Sequence, residues 1–440
     1  MFDRRAFLGS AAALGLAGNV RAQTADPRPY GSPAATRPFG PEVYRERRRR
    51  LMERMKTGFA VVYGARTLDP SSTVAGVGRQ NSDFFYLTGI ADEAGAALIL
   101  APGERDFKEI LFLASRDPEN ERWEGERLSL GQEVRTRTGF DKVYRAASLG
   151  AVATTIASRA GEMHFLGPLA GPDSPVPPSL DLYGKIAQRV PGTRTTNSHA
   201  FIRDMRIVKE AREVEAIRKA IAATNRGMLA AMRLARPGMR EFELKNIIEN
   251  EFRAAGARGI AFSSIVATGR NSAILHYTGG DTVIREGDMI LCDIGAEVDF
   301  YAADITRTFP VNGTFNPEQR RVYETVLAAQ NAAAAKLRAE VIYEDLNQAA
   351  IDVIRRAGHG DDFIHGLGHF IGLEVHDVGA LAAPLPVGAA LTIEPGIYVP
   401  NRGFGVRIED DYLVTATGYE HLSRAVPRTV AQVEAVLAAR

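Results

Sequence analysis

A single cysteine among 440 residues, Cys292, leaves no partner for an intramolecular disulfide and rules out a cysteine-rich zinc cluster. It sits in the apolar run Met289-Ile290-Leu291-Cys292, where a buried, inert thiol is expected. Excess charge is also missing. A formal net charge of +1 gives neither a basic field for nucleic acid nor an acidic tail. Beyond the N-terminal segment, no apolar run approaches the length of a membrane span. Short solenoid repeats and low-complexity tracts are absent as well. What remains is an ordinary globular composition, long enough for two or three domains around a large core.

Residues 1–22 are of a different kind. Arg4 and Arg5 precede an apolar stretch from Ala11 to Ala17, and Val20-Arg21-Ala22 offers small residues for cleavage. This reads as a twin-arginine signal peptide, an address read by the export machinery rather than an anchor. It predicts an exported, periplasmic protein. Residues 23–41 follow as a proline-rich leader, with five prolines between Asp26 and Pro41.

From residue 42 to about 200 the pattern predicts a smaller α/β unit. A charged helix over Glu42–Lys56 has Leu51, Met52 and Met55 on its apolar side, and Arg47 to Arg50 read as a solvated face. Strands are expected at Phe59–Tyr63, Gly95–Leu100 and Ile110–Ala114, an aromatic core strand at Phe84–Leu87, and helices near Leu149–Ala160 and Leu180–Gln188. Phe201–Ala220 reads as a hinge helix into a second unit, residues 201–440. There, helices over Glu210–Leu234 and Arg240–Ala255 come first. Strand-like segments follow, interrupted by one helix capped by Asn316 before Pro317 and another over Tyr343–Ala357. The class predicted is α+β, helices backing a curved sheet.

Five residues in this second unit carry the chemistry: Asp293, Asp304, His369, Glu394 and Glu409. Asp293 and Asp304 flank one probable hairpin, and Glu394 and Glu409 flank another whose turn is Pro400-Asn401-Arg402-Gly403. Two hairpins, each giving two carboxylates, can clasp two cations. Four carboxylates and one imidazole are too few for two separate closed sites, yet suffice for two neighbouring divalent ions when carboxylates bridge. Such a pair can activate a water. Oxygen-rich ligation without thiolate favours manganese, with cobalt or zinc as alternatives, over a structural zinc site. Burying these carboxylates without a cation or partner would cost several kcal/mol, roughly, or more. Four of the eight histidines, His276, His365, His369 and His376, fall close to this set. A histidine that is not a ligand can donate to a developing oxyanion or shuttle a proton.

On these residues the chain resembles the aminopeptidase P and prolidase group of metallopeptidases. That resemblance implies a C-terminal pita-bread catalytic domain. It assigns the five residues above to metal ligation, and His276, His365 and His376 to positioning the substrate and stabilising the tetrahedral intermediate. Arg407 matches an arginine two residues before the last glutamate. The run Arg79-Gln80-Asn81-Ser82-Asp83-Phe84-Phe85-Tyr86-Leu87-Thr88-Gly89 is similar to the aminopeptidase P N-terminal domain, as is Glu121-Arg122-Trp123-Glu124-Gly125. In such enzymes this domain can reach a neighbouring subunit's site, which makes Asp83 and Trp123 rim candidates in a homo-oligomer, a dimer or tetramer. The activity implied is hydrolysis of the N-terminal Xaa–Pro bond of peptides, with Glu394 as general base and Tyr398 and His376 as walls for the proline ring. A prolidase restricted to Xaa-Pro dipeptides is the alternative, and a peptide-binding pseudo-peptidase a further one. Short spacings from His376 to Glu394 and from Glu394 to Glu409 trim the loops that set substrate length.

Overall fold

The computed structural model describes residues 37–68, 78–127 and 129–440. The expected signal peptide and most of the proline-rich leader lie outside the described residues.

The N-terminal unit is built on a mixed six-stranded sheet. Its strands are β1 (Phe59–Tyr63), β2 (Ala97–Leu100), β3 (Glu109–Leu113), β4 (Val143–Arg145), β5 (Glu162–Phe165) and β6 (Arg194–Asn197), in the spatial order β4-β3-β2-β1-β5-β6. The apolar runs of β1 and β2 are buried on both faces, as a central sheet covered by helices requires. Helices Leu149–Ala160 and Pro178–Ala187 pack on one face, and Tyr183 donates from that layer to the His164 carbonyl at 3.1 Å.

Three sequence expectations need correction here. Phe84–Leu87 is not a strand but part of the helix Ser82–Thr88, capped by the Asn81 side chain and ended by Gly89 at φ 68°. All four side chains are buried, and a short run that is apolar all round carries no period to separate helix from strand. Arg47 and Arg48 are not solvated. Arg47 is enclosed between the Tyr86 ring, 4.0 Å from its guanidinium carbon, and the carboxylate of Glu213 at 3.3 Å, while Arg48 lies over Phe140 and donates to Glu109. The hinge helix is two helices, His199–Ile207 and Ala211–Leu234. The chain extends at Val208, and the Lys209 amide donates to the Gly388 carbonyl at 2.8 Å.

The second unit places helices Ala211–Leu234, Glu241–Ala254, Pro317–Ala334 and Tyr343–Arg356 around short antiparallel sheets. Strands Met289–Ile294 and Ile305–Pro310 pair antiparallel with Thr306 opposite Asp293. Strands Gly396–Val399 and Phe404–Arg407 pair with Gly396 opposite Arg407, joined by Pro400–Arg402 and Gly403 at φ 83°. Between the first two strands the chain is not an open connection. It folds back as a second tight hairpin, with Asp299 and Phe300 at φ 54° and 72°. Phe300 stacks on Phe85 of the N-terminal unit at 4.0 Å, and Arg79 donates to its carbonyl. Among the described residues no helix is long and apolar enough to cross a membrane.

Candidate metal centre

The two hairpins bring their ends together. Asp293 is the fifth residue of its strand, and Asp304 immediately precedes the strand it pairs with. Glu394 and Glu409 lie just outside the second hairpin, one before and one after it. Cross-links between the elements fix the four relative to one another. The Glu409 amide donates to the Thr306 carbonyl at 3.1 Å, and the Thr306 hydroxyl donates to Glu409 Oε2 at 2.6 Å. The loop carrying His369 is laid along the strand Ala390–Ile393 by two bonds, Thr392 N to His369 O and Glu394 N to Leu367 O, both 2.8 Å. His369 Nε2 then faces Asp304 Oδ2 at 3.4 Å and Glu394 Oε1 at 3.5 Å.

Ligand atoms of Asp304, His369 and Glu409 converge within 4.8 Å of one another, a group that could hold a metal ion. The electrostatics favour a cation. Burial, then the charge of Glu409, pushes the Asp304 carboxyl well above its usual range; burial, then Glu394, does the same to Glu409. Glu394 is pushed up to about 8 by burial, opposed by Arg407 and reinforced by Asp293. Asp293 Oδ1, Asp304 Oδ1 and Glu409 Oε1 are buried with no hydrogen-bond partner. Arg407 cannot balance the set by itself. It donates to Asp293 at 2.7 Å, to Thr306 at 3.2 Å and from Nη1 to the Tyr398 hydroxyl at 2.9 Å. Divalent cations fit this donor set, because they neutralise the surplus charge and occupy the partnerless oxygens.

His369 is poised as a neutral ligand. Its Nδ1 faces the Phe370 carbonyl at 3.1 Å and must donate there, which leaves the Nε2 lone pair toward the carboxylates. Burial, then His376, lowers its pKa to about 4.

The site opens into a cavity of about 800 Å³ whose walls include Phe262, Leu275, His276, His365, His376 and Glu394. His276 and His376 stand exposed in it. His365 also reaches it, but both of its ring nitrogens are already engaged. Nδ1 donates to the Gly366 carbonyl at 2.7 Å, so Nε2 accepts from the Tyr398 hydroxyl at 2.8 Å. As it stands His365 therefore has no free ring N–H, whereas the rings of His276 and His376 are exposed in the cavity. Tyr398 is not a wall of the cavity; it is buried behind His365 and Arg407, and tethers them. Neither rim candidate lines the cavity. Asp83 is ion-paired with Arg206 at 2.7 Å, and Trp123 is 87% exposed. Sequence reasoning passed over Thr306, the hydroxyl that orients Glu409. Its place two residues after Asp304, on the same face of an alternating strand, was the available signal.

Two family models match the chain: "Metallopeptidase family M24" over residues 215–416 and "Aminopeptidase P, N-terminal domain" over residues 44–164. It is 34% identical to the Xaa-Pro aminopeptidase of Haemophilus influenzae over 392 residues, 81% of this chain and 87% of that protein. It is 32% identical to the Xaa-Pro aminopeptidase of Escherichia coli over 434 residues, 90% and 98% of the two. The fold is similar to that of the Pseudomonas aeruginosa aminopeptidase PepP, with a TM-score of 0.82, 34% identity, and 92% of this chain and 99% of that one covered. The convergent carboxylates, the histidine-lined cavity and the N-terminal sheet thus have one common explanation: the chain belongs to the aminopeptidase P family of metallopeptidases.

Proposed function

We propose that the chain hydrolyses the N-terminal Xaa–Pro bond of peptides, with two divalent cations, manganese in our reading, held by Asp293, Asp304, His369, Glu394 and Glu409. The observation that carries this is the convergence of buried carboxylates, three of their oxygens without a partner, on a cavity large enough for a peptide end. Bound there, divalent cations act as Lewis acids toward a scissile carbonyl and acidify water.

The protein's own groups have separate tasks. Glu394, on the cavity wall, accepts the proton of the attacking water at its carboxylate. No hydrogen bond occupies the rings of His276 and His376 among the described residues, so both can donate to the developing oxyanion. Arg407 holds Asp293 in place through Nη2. The imide nitrogen of proline carries no hydrogen, so recognition rests on apolar shape, and Phe262 and Leu275 offer that surface. A homo-oligomer stays part of this reading, with the exposed indole of Trp123 as a candidate contact to a second copy.

The test is a mass-spectrometric digest of Xaa-Pro, Xaa-Pro-Yaa and longer peptides with manganese. Release of the first residue alone from tripeptides and longer chains is expected, and a chelator should abolish it. Rapid cleavage of dipeptides with intact tripeptides would replace this reading with a prolidase.

A further inference from the structure

His376 stands on a partition. It and Val375 line both the metal cavity and a second cavity of about 500 Å³ at the junction with the N-terminal unit. Its ring is held by no hydrogen bond among the described residues and packs T-shaped against the His369 ring, centroids 4.2 Å apart. Its position is therefore set by the backbone that carries it. That backbone is anchored one residue further on. The Asp377 side chain, 1% exposed, accepts from Arg206 Nη2 at 2.5 Å and from Lys209 Nζ at 3.0 Å. Arg206 donates its other terminal nitrogen to Asp83 at 2.7 Å. A Cβ on Gly372 would fall 2.2 Å from Asp377 Oδ2 and 2.8 Å from Lys209 Cε, so the ion cluster closes only over a glycine.

Asp83 and Asp377 face Arg206 and Lys209, with the exposed Glu374 a more distant partner of Arg206 at 3.9 Å, and the four come from three places. Asp83 belongs to the N-terminal unit, Arg206 and Lys209 to the link between units, and Asp377 to the loop that bears His369 and His376. A largely buried ion cluster of this kind contributes little net stability compared with apolar packing of the same volume. What it supplies is a fixed geometry, since each charge is costly unless all partners keep their places. Burial alone would raise the Asp377 carboxyl; Arg206, then Lys209, hold it below the usual carboxylate range.

We propose that Asp83, Arg206, Lys209 and Asp377 are positioning residues for the reaction, through which the N-terminal unit fixes the loop that presents His376 to the substrate. This rests on the peptidase reading above. A positioning role differs from a purely structural one in where the loss appears: turnover falls while KM, metal content and fold persist, and the loss vanishes once His376 is gone.

The experiment measures kcat and KM on an Xaa-Pro-Yaa tripeptide, with manganese content and thermal midpoint, for Asp83→Asn, Arg206→Met and Arg206→Lys. Each is made in the wild-type and His376→Ala backgrounds. Misplacing a reacting group by about 1 Å costs about 10²-fold in rate. Arg206→Met should lose on that scale in kcat, Asp83→Asn about a tenth of it, and Arg206→Lys should fall between them, since an ammonium cannot fork to both carboxylates. In the His376→Ala background none should reduce kcat further. Losses that multiply with His376→Ala, or wild-type turnover in all three variants, would overturn the inference. If Arg206→Met does not fold, Asp83→Asn and Arg206→Lys decide the matter by the same criteria. Wild-type enzyme inert toward every Xaa-Pro peptide would instead overturn the peptidase reading, and this inference with it.

Discussion

At the scale of single residues, the histidines separate by the company their nitrogens keep. His369 donates from Nδ1 to a carbonyl and turns Nε2 toward Asp304 and Glu394, so its replacement should empty the metal site. His276 is exposed in the cavity with its ring free of hydrogen bonds among the described residues, so its replacement should spare the metal and lower turnover. His276→Ala should lose roughly 10²-fold in kcat, the usual scale for an oxyanion donor, with manganese content unchanged. His369→Ala should lose manganese and activity together. Metal analysis beside steady-state kinetics checks the division, and equal metal loss in both variants would contradict it. The types and order of these residues were legible in the chain. Their partners were not: Tyr398 was expected as a wall and instead stands behind His365, because a hydrogen bond across 33 positions leaves no local pattern.

Among elements, the loop Gly366–Asp377 leaves little room for a larger residue. Gly368 adopts φ 154°, and a Cβ there would lie 2.5 Å from both Thr392 Oγ1 and the Tyr343 hydroxyl. Gly368→Ala must push the loop off the strand Ala390–Ile393 and carry His369 with it. Overpacking of this kind costs about 1–3 kcal/mol. The expected outcome is a lower thermal midpoint and weaker manganese binding by titration calorimetry; unchanged affinity would show that the loop yields without moving His369. The hairpins bearing the carboxylates could be anticipated, since short apolar runs joined by turn residues are a local signal. The helix Ser82–Thr88 was harder to read: its cap Asn81 and terminating Gly89 are local signals, but the run between them is apolar on all sides. The break at Val208 rests on a bond from Lys209 to Gly388, far along the chain.

For the whole molecule, the N-terminal unit is locked to the catalytic unit by buried charge as well as apolar contact. Arg47 and Glu213 belong to different units and are both buried, and the Tyr301 hydroxyl donates to Glu213 at 2.8 Å. Removing one partner of such a pair leaves the other unpaired, at a cost of about 3–5 kcal/mol. Arg47→Met should therefore lower stability by that order in urea denaturation, whereas a change below about 1 kcal/mol would mean that the tyrosines and Glu210 carry the junction. The run Arg47–Arg50 read as a solvated face because composition reports charge and says nothing of what covers it. By itself the sequence determined the α+β class, the two hairpins, the donor types of the site and the family resemblance, since turn chemistry, periodicity and motif spacing are properties of neighbours along the chain. Only the tertiary structure decided which carboxylates converge, which histidine keeps a free nitrogen and which arginines are buried. Convergence, free lone pairs and desolvation depend on groups tens to more than a hundred residues apart, and no local pattern encodes them.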